Sequence, residues 1–198
     1  MKWGEDLWLN EAVAEFMSYW CMAEGTSFSD AWTGFTMRKV WGVNCDQLPT
    51  THPIVAPITD LADVEVNFDG ITYSKGACVL RQLVAYVGEQ NFLVALHNYF
   101  AQHEYSNATL ADFLCELEKT SERSLKDWSK VWLLQAGITQ LESRIERDKD
   151  GKVSSFKILQ SLPQEGTSLR PHATTVGAYD FDANGKLCLA RRADVDVK

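Results

Sequence analysis

Residues 1–20 read MKWGEDLWLNEAVAEFMSYW, and a predicted helix opens at Trp8-Leu9-Asn10-Glu11 within this stretch. Large apolar side chains recur at helical spacing and form one face, made of Leu9, Val13, Phe16 and Trp20. A second face is small and acidic, and it carries Glu11 and Glu15. A carboxylate on a helix anchored by aromatic packing is well placed to bind a metal ion. The alternative is a solvated surface glutamate, which is the usual environment of an isolated Glu. Spacing alone leaves both interpretations open.

Composition narrows the possible classes of function. The 198 residues suffice for one large or two small domains, and 45% hydrophobic with 23% charged residues is typical of a globular protein. The formal net charge of −8 comes without a basic cluster, so we expect no nucleic-acid partner. No apolar run approaches ~18 residues, so we expect no membrane partner. The oligomeric state stays unknown at this point.

The cysteines and histidines do not form a recognisable metal-binding pattern. The five cysteines are odd in number, widely spaced and without a CxxC pair: Cys21, Cys45, Cys78, Cys115 and Cys188. This usage favours reduced thiols and a cytoplasmic location. Among the four histidines, His97 and His103 are too far apart in sequence to share a helix face. We interpret these two histidines as polar helix residues.

The hydrophobic periodicity changes near Gly137. Before it, helical stripes predict six helices. The first two cover about 9–24 and 30–41, the third follows residue 76 and ends at Gly88, and the fourth starts at residue 89. The fifth starts at the capping sequence Thr109 to Asp112, and the sixth covers 125–135. Residues 44–67 contain three prolines and are predicted to be irregular. After Gly137 the alternation predicts strands over about 140–147, 152–160, 172–181 and 186–197, joined by turns at Asp150-Gly151 and Asn184-Gly185. The fold class is therefore α+β, with domains at 1–137 and 138–198.

A second informative motif is ITYSKGA at residues 71–77. Tyr73 precedes a predicted helix, and Gly76 and Ala77 allow the start of that helix to pack closely. A phenol is neutral at pH 7 and donates one hydrogen bond from a rigid ring. Near a metal, such a donor can stabilise negative charge that develops in a transition state. The alternative is a core tyrosine at a helix entrance.

The first twenty residues and residues 68–83 resemble the aminopeptidase N family of zinc metallo-aminopeptidases, the gluzincin group. The helices before Gly137 and the strands after it extend the resemblance, and Leu169-Arg170-Pro171-His172 is similar to the actinobacterial type. The resemblance implies the helical C-terminal part of a thermolysin-like catalytic domain, followed by a partial antiparallel β-sandwich module. It implies hydrolysis of the N-terminal peptide bond of peptides.

Family motifs carry over onto two residues. In the pattern HExxH-x18-E the final Glu is a zinc ligand, and it falls on Glu11. The tyrosine of Tyr-x-Lys-Gly-Ala, which bonds the oxyanion, falls on Tyr73. HExxH, with its general base, and the Gly-x-Met-Glu-Asn stretch that holds the substrate amine are absent from the sequence. We therefore expect a fragment that begins after the zinc helix, retains no catalytic zinc and is inactive alone. Substrate-binding residues stay unknown.

Two other classes of function stay open. A non-catalytic helical scaffold would bury Glu11 and Tyr73 in separate cores, whereas an enzyme would place them in one cleft. A degenerate pseudo-peptidase would lack HExxH in its parent as well. For the fragment we also expect exposed apolar surface around Trp3 and Trp8, and an anionic patch formed by Glu11 with Glu15.

Overall fold

A computed structural model describes residues 3–162 and 168–197, without the side chains of residues 3–5. Within these ranges, helices come first and strands follow. The helices are α1 (Trp3–Gly25), α2 (Ala31–Asp46), α3 (Leu61–Asn67), a π-helical turn (Ile71–Lys75), α4 (Gly76–Val87), α5 (Glu89–His103), α6 (Leu110–Ser121) and α7 (Lys126–Leu133). The strands are β1 (Gln140–Arg147), β2 (Val153–Ser161), β3 (His172–Phe181) and β4 (Leu187–Val197). The predicted α+β class is confirmed.

Side-chain capping defines the starts of α3 and α6. Thr109 and Asp112 form the reciprocal capping box that the sequence predicts at the start of α6. Gly88 has a φ of +88°, a conformation that favours glycine, and it separates α4 from α5. The prediction of an irregular stretch over 44–67 is wrong at both ends, since α2 runs to Asp46 and α3 occupies Leu61–Asn67. The Asp60 side chain caps α3 by accepting a 3.0 Å bond from the Asp63 backbone, beyond the last proline.

The helical part has one aromatic-rich core. Phe16 of α1 lies 6.3 Å from Phe92 of α5, and Phe92 lies 5.9 Å from Phe113 of α6, between ring centroids. Both contacts are edge to face, the arrangement that aromatic quadrupoles favour. Trp8 is also buried, with 3% of its surface exposed, so the expectation of exposed surface around it is wrong. Its ring packs where α4 begins at Gly76. The Trp3 side chain lies outside the described side chains.

The strands pair as two antiparallel hairpins. β1 pairs with β2, and β3 pairs with β4, in two two-stranded sheets. Gly151 and Gly185 occupy the connecting turns with φ of +79° and +76°, as the predicted turn sequences require. The hairpins follow the helices directly, and Arg170 joins the two parts. Its guanidinium is buried and donates to the carbonyl of Val131 in the last turn of α7 and to those of Gln135, Ala136 and Gly137 just beyond α7. Among the described residues, no helix is long and apolar enough to cross a membrane.

Candidate active site

Glu11 and Glu15 lie one turn apart on α1, beside the apolar residues that fix this helix. Ala12 and Phe16 are buried, with 0% and 2% of their surface exposed. Glu11 stays partly exposed and accepts a 3.1 Å bond from the Asn10 amide. The helix therefore presents two carboxylates from a rigid base toward the same neighbouring segment.

That neighbouring segment is the π-helical turn Ile71–Lys75. The Lys75 backbone N–H donates to Gly70 at 2.9 Å, five residues back, which is the π-type bond. The turn packs tightly on two helices. A Cβ added at Gly76 would lie 2.7 Å from the Ala12 Cβ of α1, and one added at Gly42 of α2 would lie 2.9 Å from the Lys75 nitrogen. Single-turn π-helices occur frequently at functional sites because they re-aim side chains.

Tyr73 projects from this turn to Glu11. Burial raises the pKa of the Tyr73 hydroxyl to about 12, together with its hydrogen bond to Glu11 and the negative charges of Glu11 and Glu15. The hydroxyl donates to the carboxylate, and it stays protonated at neutral pH. The ring is held by Phe68, whose centroid lies 5.8 Å away in an edge-to-face contact. Glu11 and Tyr73 thus meet in one partly exposed place.

Ser74 meets the second carboxylate. Its hydroxyl donates to Glu15 Oε1 at 2.9 Å. Arg38 of α2 holds the same carboxylate with both ends of its guanidinium, at 3.0 Å to Oε1 and 2.8 Å to Oε2. The bond to Glu15 raises the pKa of Arg38 against a smaller opposing effect of burial. The predicted anionic patch of Glu11 with Glu15 is therefore wrong for Glu15, since its charge is paired with Arg38.

Lys75 meets a third carboxylate, on α2. Its ammonium lies 2.7 Å from Asp46 Oδ2, in a pair with 9% and 0% of the side chains exposed. Asp46 Oδ1 accepts from the Gly137 N–H at 2.9 Å, and the Gly137 carbonyl accepts from Lys75 and Arg170. Burial lowers the pKa of Lys75 despite the opposing Asp46 charge. These contacts line a cavity of about 350 Å³ that neither Glu11 nor Tyr73 borders.

His52 ties the preceding loop to the start of the π-helical turn. Its Nδ1 lies 2.7 Å from the Pro53 carbonyl and its Nε2 lies 3.2 Å from Asp69 Oδ2. Both partners are acceptors, so the protonated ring can donate to both, and the bonds to Asp69 and Pro53 raise the pKa of His52 although burial lowers it. Asp69 Oδ1 accepts from the backbone of Ile71 and Thr72, at 2.8 and 3.0 Å. Asp69 thus caps the turn that carries Tyr73.

A zinc ion requires more ligands than the described residues bring together. Among residues 3–162 and 168–197, no group of three or more His, Cys, Asp or Glu side chains is placed to hold a metal. A catalytic zinc site uses three protein ligands and keeps one position open. Glu11 fits one of these ligands, as a partly exposed carboxylate on a rigid helix, but the chain alone does not fit a zinc ion.

Comparison with known proteins identifies the family. Residues 1–136 match the Peptidase family M1 domain. This chain belongs to peptidase family M1. It is 49% identical over its whole length to aminopeptidase N of Streptomyces lividans, and it spans 24% of that protein. It is 41% identical to probable aminopeptidase 2 of Sulfurisphaera tokodaii, over 85% of this chain and 23% of the relative. The leucyl aminopeptidase of Saccharolobus solfataricus is 36% identical over 69% of this chain and 18% of its own length.

The M1 family assignment confirms the resemblance to aminopeptidase N, including its actinobacterial type. Sequence reasoning named Glu11 and Tyr73, and the structure places their side chains in contact. It missed Ser74, Arg38, Asp46 and His52. A sequence pattern that could have indicated two of these is the spacing of Arg38, Gly42 and Asp46. Each is four residues from the next, which places all three on one face of α2. Their partners, however, are distant in sequence.

Proposed function

We propose that this M1 chain forms one wall of the active site of a zinc-dependent aminopeptidase that hydrolyses the N-terminal peptide bond of peptides. The observation that carries the proposal is the contact between the Tyr73 hydroxyl and Glu11. The two residues belong to separate motifs, yet they meet at one partly exposed place. A helical scaffold would give no reason for a phenol and a carboxylate to converge there.

Tyr73 acts as a neutral hydrogen-bond donor. With a pKa of about 12 the phenol keeps its proton at any physiological pH. A phenol donates one hydrogen bond, so the Tyr73 proton that bonds Glu11 in this structure would be donated to the oxyanion when the tetrahedral intermediate forms. The edge of Phe68 and the packed π-helical turn hold the ring in this orientation. Tyr73 is therefore the catalytic residue that this chain contributes.

Glu11 would supply one ligand of the metal in the complete enzyme. Zinc, when bound in such an enzyme, polarises the carbonyl and lowers the pKa of a bound water.

Residues 1–137 form the helical part of the catalytic domain and residues 138–198 the β module. The five cysteines, free in the structure, support a cytoplasmic location.

The chain alone should neither bind zinc tightly nor hydrolyse peptides, because one carboxylate cannot fix the metal. The test compares the chain with a chimera in which it replaces the matching quarter of the Streptomyces lividans aminopeptidase N. Zinc binding is measured by calorimetry and hydrolysis with an aminoacyl-anilide. We expect submicromolar zinc affinity and turnover only in the chimera. A folded, zinc-loaded chimera without turnover would contradict the proposed function, and turnover by the chain alone would contradict the single-ligand argument.

A further inference from the structure

Three consecutive residues of the π-helical turn each contact a different carboxylate. Tyr73 bonds Glu11, Ser74 bonds Glu15, and Lys75 pairs with Asp46. Glu11 and Glu15 lie one turn apart on α1. The Ser74 bond to Glu15 therefore sets the register of the turn along α1, and this register brings Tyr73 opposite Glu11. A slip of the turn by one residue would separate the phenol from that carboxylate.

The middle contact is built more firmly than a surface hydrogen bond. Ser74 is fully buried, and the Glu15 side chain is 7% exposed. Arg38 fixes both oxygens of Glu15, a bidentate geometry that leaves the carboxylate little rotational freedom. The Arg38 guanidinium is itself placed over the ring of Trp41, 4.4 Å from its centroid. One oxygen of Glu15 thus serves both α2 and the turn.

We propose that Arg38, Glu15 and Ser74 form a positioning bridge that holds the Tyr73 hydroxyl at the reacting centre. The proposal rests on the proposed function, since it names the residues through which Tyr73 is oriented. In this proposal the three residues act through Tyr73 and not on the substrate directly. Their effect passes through the register between α1 and the π-helical turn, so it should disappear when the Tyr73 hydroxyl is removed.

A double-mutant cycle in the active chimera tests the bridge. Ser74→Ala should lower kcat by about tenfold or more with KM little changed, because small misplacements of a reacting group are costly. Arg38→Met acts from the far end of the bridge, at a side chain that is 38% exposed, so the fold is less at risk. It should lower kcat in the same way. In a Tyr73→Phe background neither change should lower kcat further.

Matched controls separate positioning from general destabilisation. Ser121→Ala removes a hydroxyl bonded to the Leu117 carbonyl on α6, away from the turn. Arg81→Met removes a guanidinium that lies 4.1 Å over the ring of Trp32, much as Arg38 lies over Trp41. Both should leave kcat unchanged. If Tyr73→Phe alone does not lower kcat, the proposed function fails. If it does, but the bridge variants match the controls or add to Tyr73→Phe, the positioning bridge is wrong.

Discussion

Burial and a neighbouring carboxylate determine the protonation state of Tyr73. Both act in the same direction, since each disfavours a phenolate, and the pKa rises to about 12. The hydroxyl is thereby kept as a donor, which is the only form useful to a developing oxyanion. Burial has the same effect on Cys78, which lies outside the candidate site. It is the main cause that raises the pKa of this thiol to about 11. Its thiol is therefore a weak nucleophile at neutral pH.

Replacing Tyr73 by Phe tests the hydroxyl at the scale of one residue. The ring and its packing against Phe68 are kept, and only the donor is removed. In the chimera we expect kcat to fall by ~10²–10³, the usual cost of one oxyanion donor. Thermal unfolding should change little. The control is Tyr179→Phe on β3, whose side chain is mostly exposed. Unchanged turnover in Tyr73→Phe would remove Tyr73 from the mechanism.

At the scale of elements, the π-helical turn is wedged between α1 and α2. Gly76 allows the approach to α1, and Gly42 allows the approach to α2, where Arg38 and Asp46 lie on the same face. α1 contributes two carboxylates to the turn and α2 contributes one, so close packing and polar pairing reinforce each other. The position of Tyr73 depends on both helices rather than on the turn alone.

A pair of glycine substitutions on α2 tests this close approach. In Gly42→Ala the new methyl would lie 2.9 Å from the Lys75 nitrogen and 3.1 Å from the Gly70 carbonyl, so the turn must shift. We expect the free energy of unfolding to fall by ~1–3 kcal/mol. Gly34→Ala on the same helix meets only Tyr19 Cε1 at 3.7 Å and should stabilise the helix by up to ~1 kcal/mol. Urea denaturation measures the free energy of unfolding of both variants. Equal effects of the two substitutions would contradict the close packing of the π-helical turn against α2.

The link between His52 and Asp69 should make stability depend on pH. Burial lowers the pKa of His52, but its bonds to Asp69 and the Pro53 carbonyl and the Asp69 charge outweigh burial and raise it above 6.5. A raised folded-state pKa contributes stability that is complete below pH 6.5 and is lost as pH rises through the raised value. Burial raises the pKa of Asp69, but this effect is outweighed by hydrogen bonds, chiefly from His52 and the Thr72 backbone. The pKa of Asp69 is therefore lowered below 3.8. The Asp69 contribution is therefore present above pH 3.8 and is lost in stronger acid.

His52→Gln provides the measurement. The difference in free energy of unfolding between the chain and this variant should be about 1 kcal/mol near pH 5.5 and should shrink by about pH 8.5. His97→Gln, at an exposed position on α5, is the control and should show no such trend. The positive charge of Lys75 lowers the pKa of His52 and so acts against the effect of Asp69. A difference that grows with pH would show that His52 is neutral in the folded chain.

At the scale of the whole molecule, Arg170 joins the helices to the strands. Arg170 is 1% exposed, and its guanidinium bonds four backbone carbonyls, one in the last turn of α7 and three just beyond it. The Trp132 indole N–H donates to the Pro171 carbonyl at 3.1 Å and reinforces the junction. Since the Gly137 carbonyl is shared by Arg170 and Lys75, the junction is continuous with the buried pair behind the π-helical turn.

Removing this guanidinium should loosen the junction. In Arg170→Met the carbonyls lose their charged donor while the side-chain volume is largely kept. We expect the free energy of unfolding to fall by about 3 kcal/mol, because hydrogen bonds to charged groups are strong and unpaired buried carbonyls are costly. Arg191→Met on the exposed surface of β4 should change it by less than ~0.5 kcal/mol. Thermal or urea unfolding gives the change in free energy of unfolding for both variants. Equal losses would show that Arg170 does not stabilise the junction between helices and strands.

The sequence by itself determined the fold class and the order of the helices and strands apart from α3, and it named two candidate site residues. Periodicity, capping pairs and Gly-containing turns are local patterns, so they predicted α6 and both hairpins correctly. Glu11 and Tyr73 were recognisable because each lies in a distinctive short motif. The missed helix α3 has a local signal as well, in the capping by Asp60, which the neighbouring prolines obscured.

Only the tertiary structure decided which partners meet. Ser74 and Glu15 are 59 positions apart, and the Asp46 carboxylate and the Gly137 N–H that it accepts from are 91 apart. No local pattern encodes such pairs, because a contact depends on how closely two elements pack, and Gly42 and Gly76 allow that approach only once the helices are assembled. The raised pKa values of His52 and Tyr73 follow from the same packing, since each side chain lies beside a specific carboxylate, although burial raises the pKa only at Tyr73 and opposes the shift at His52.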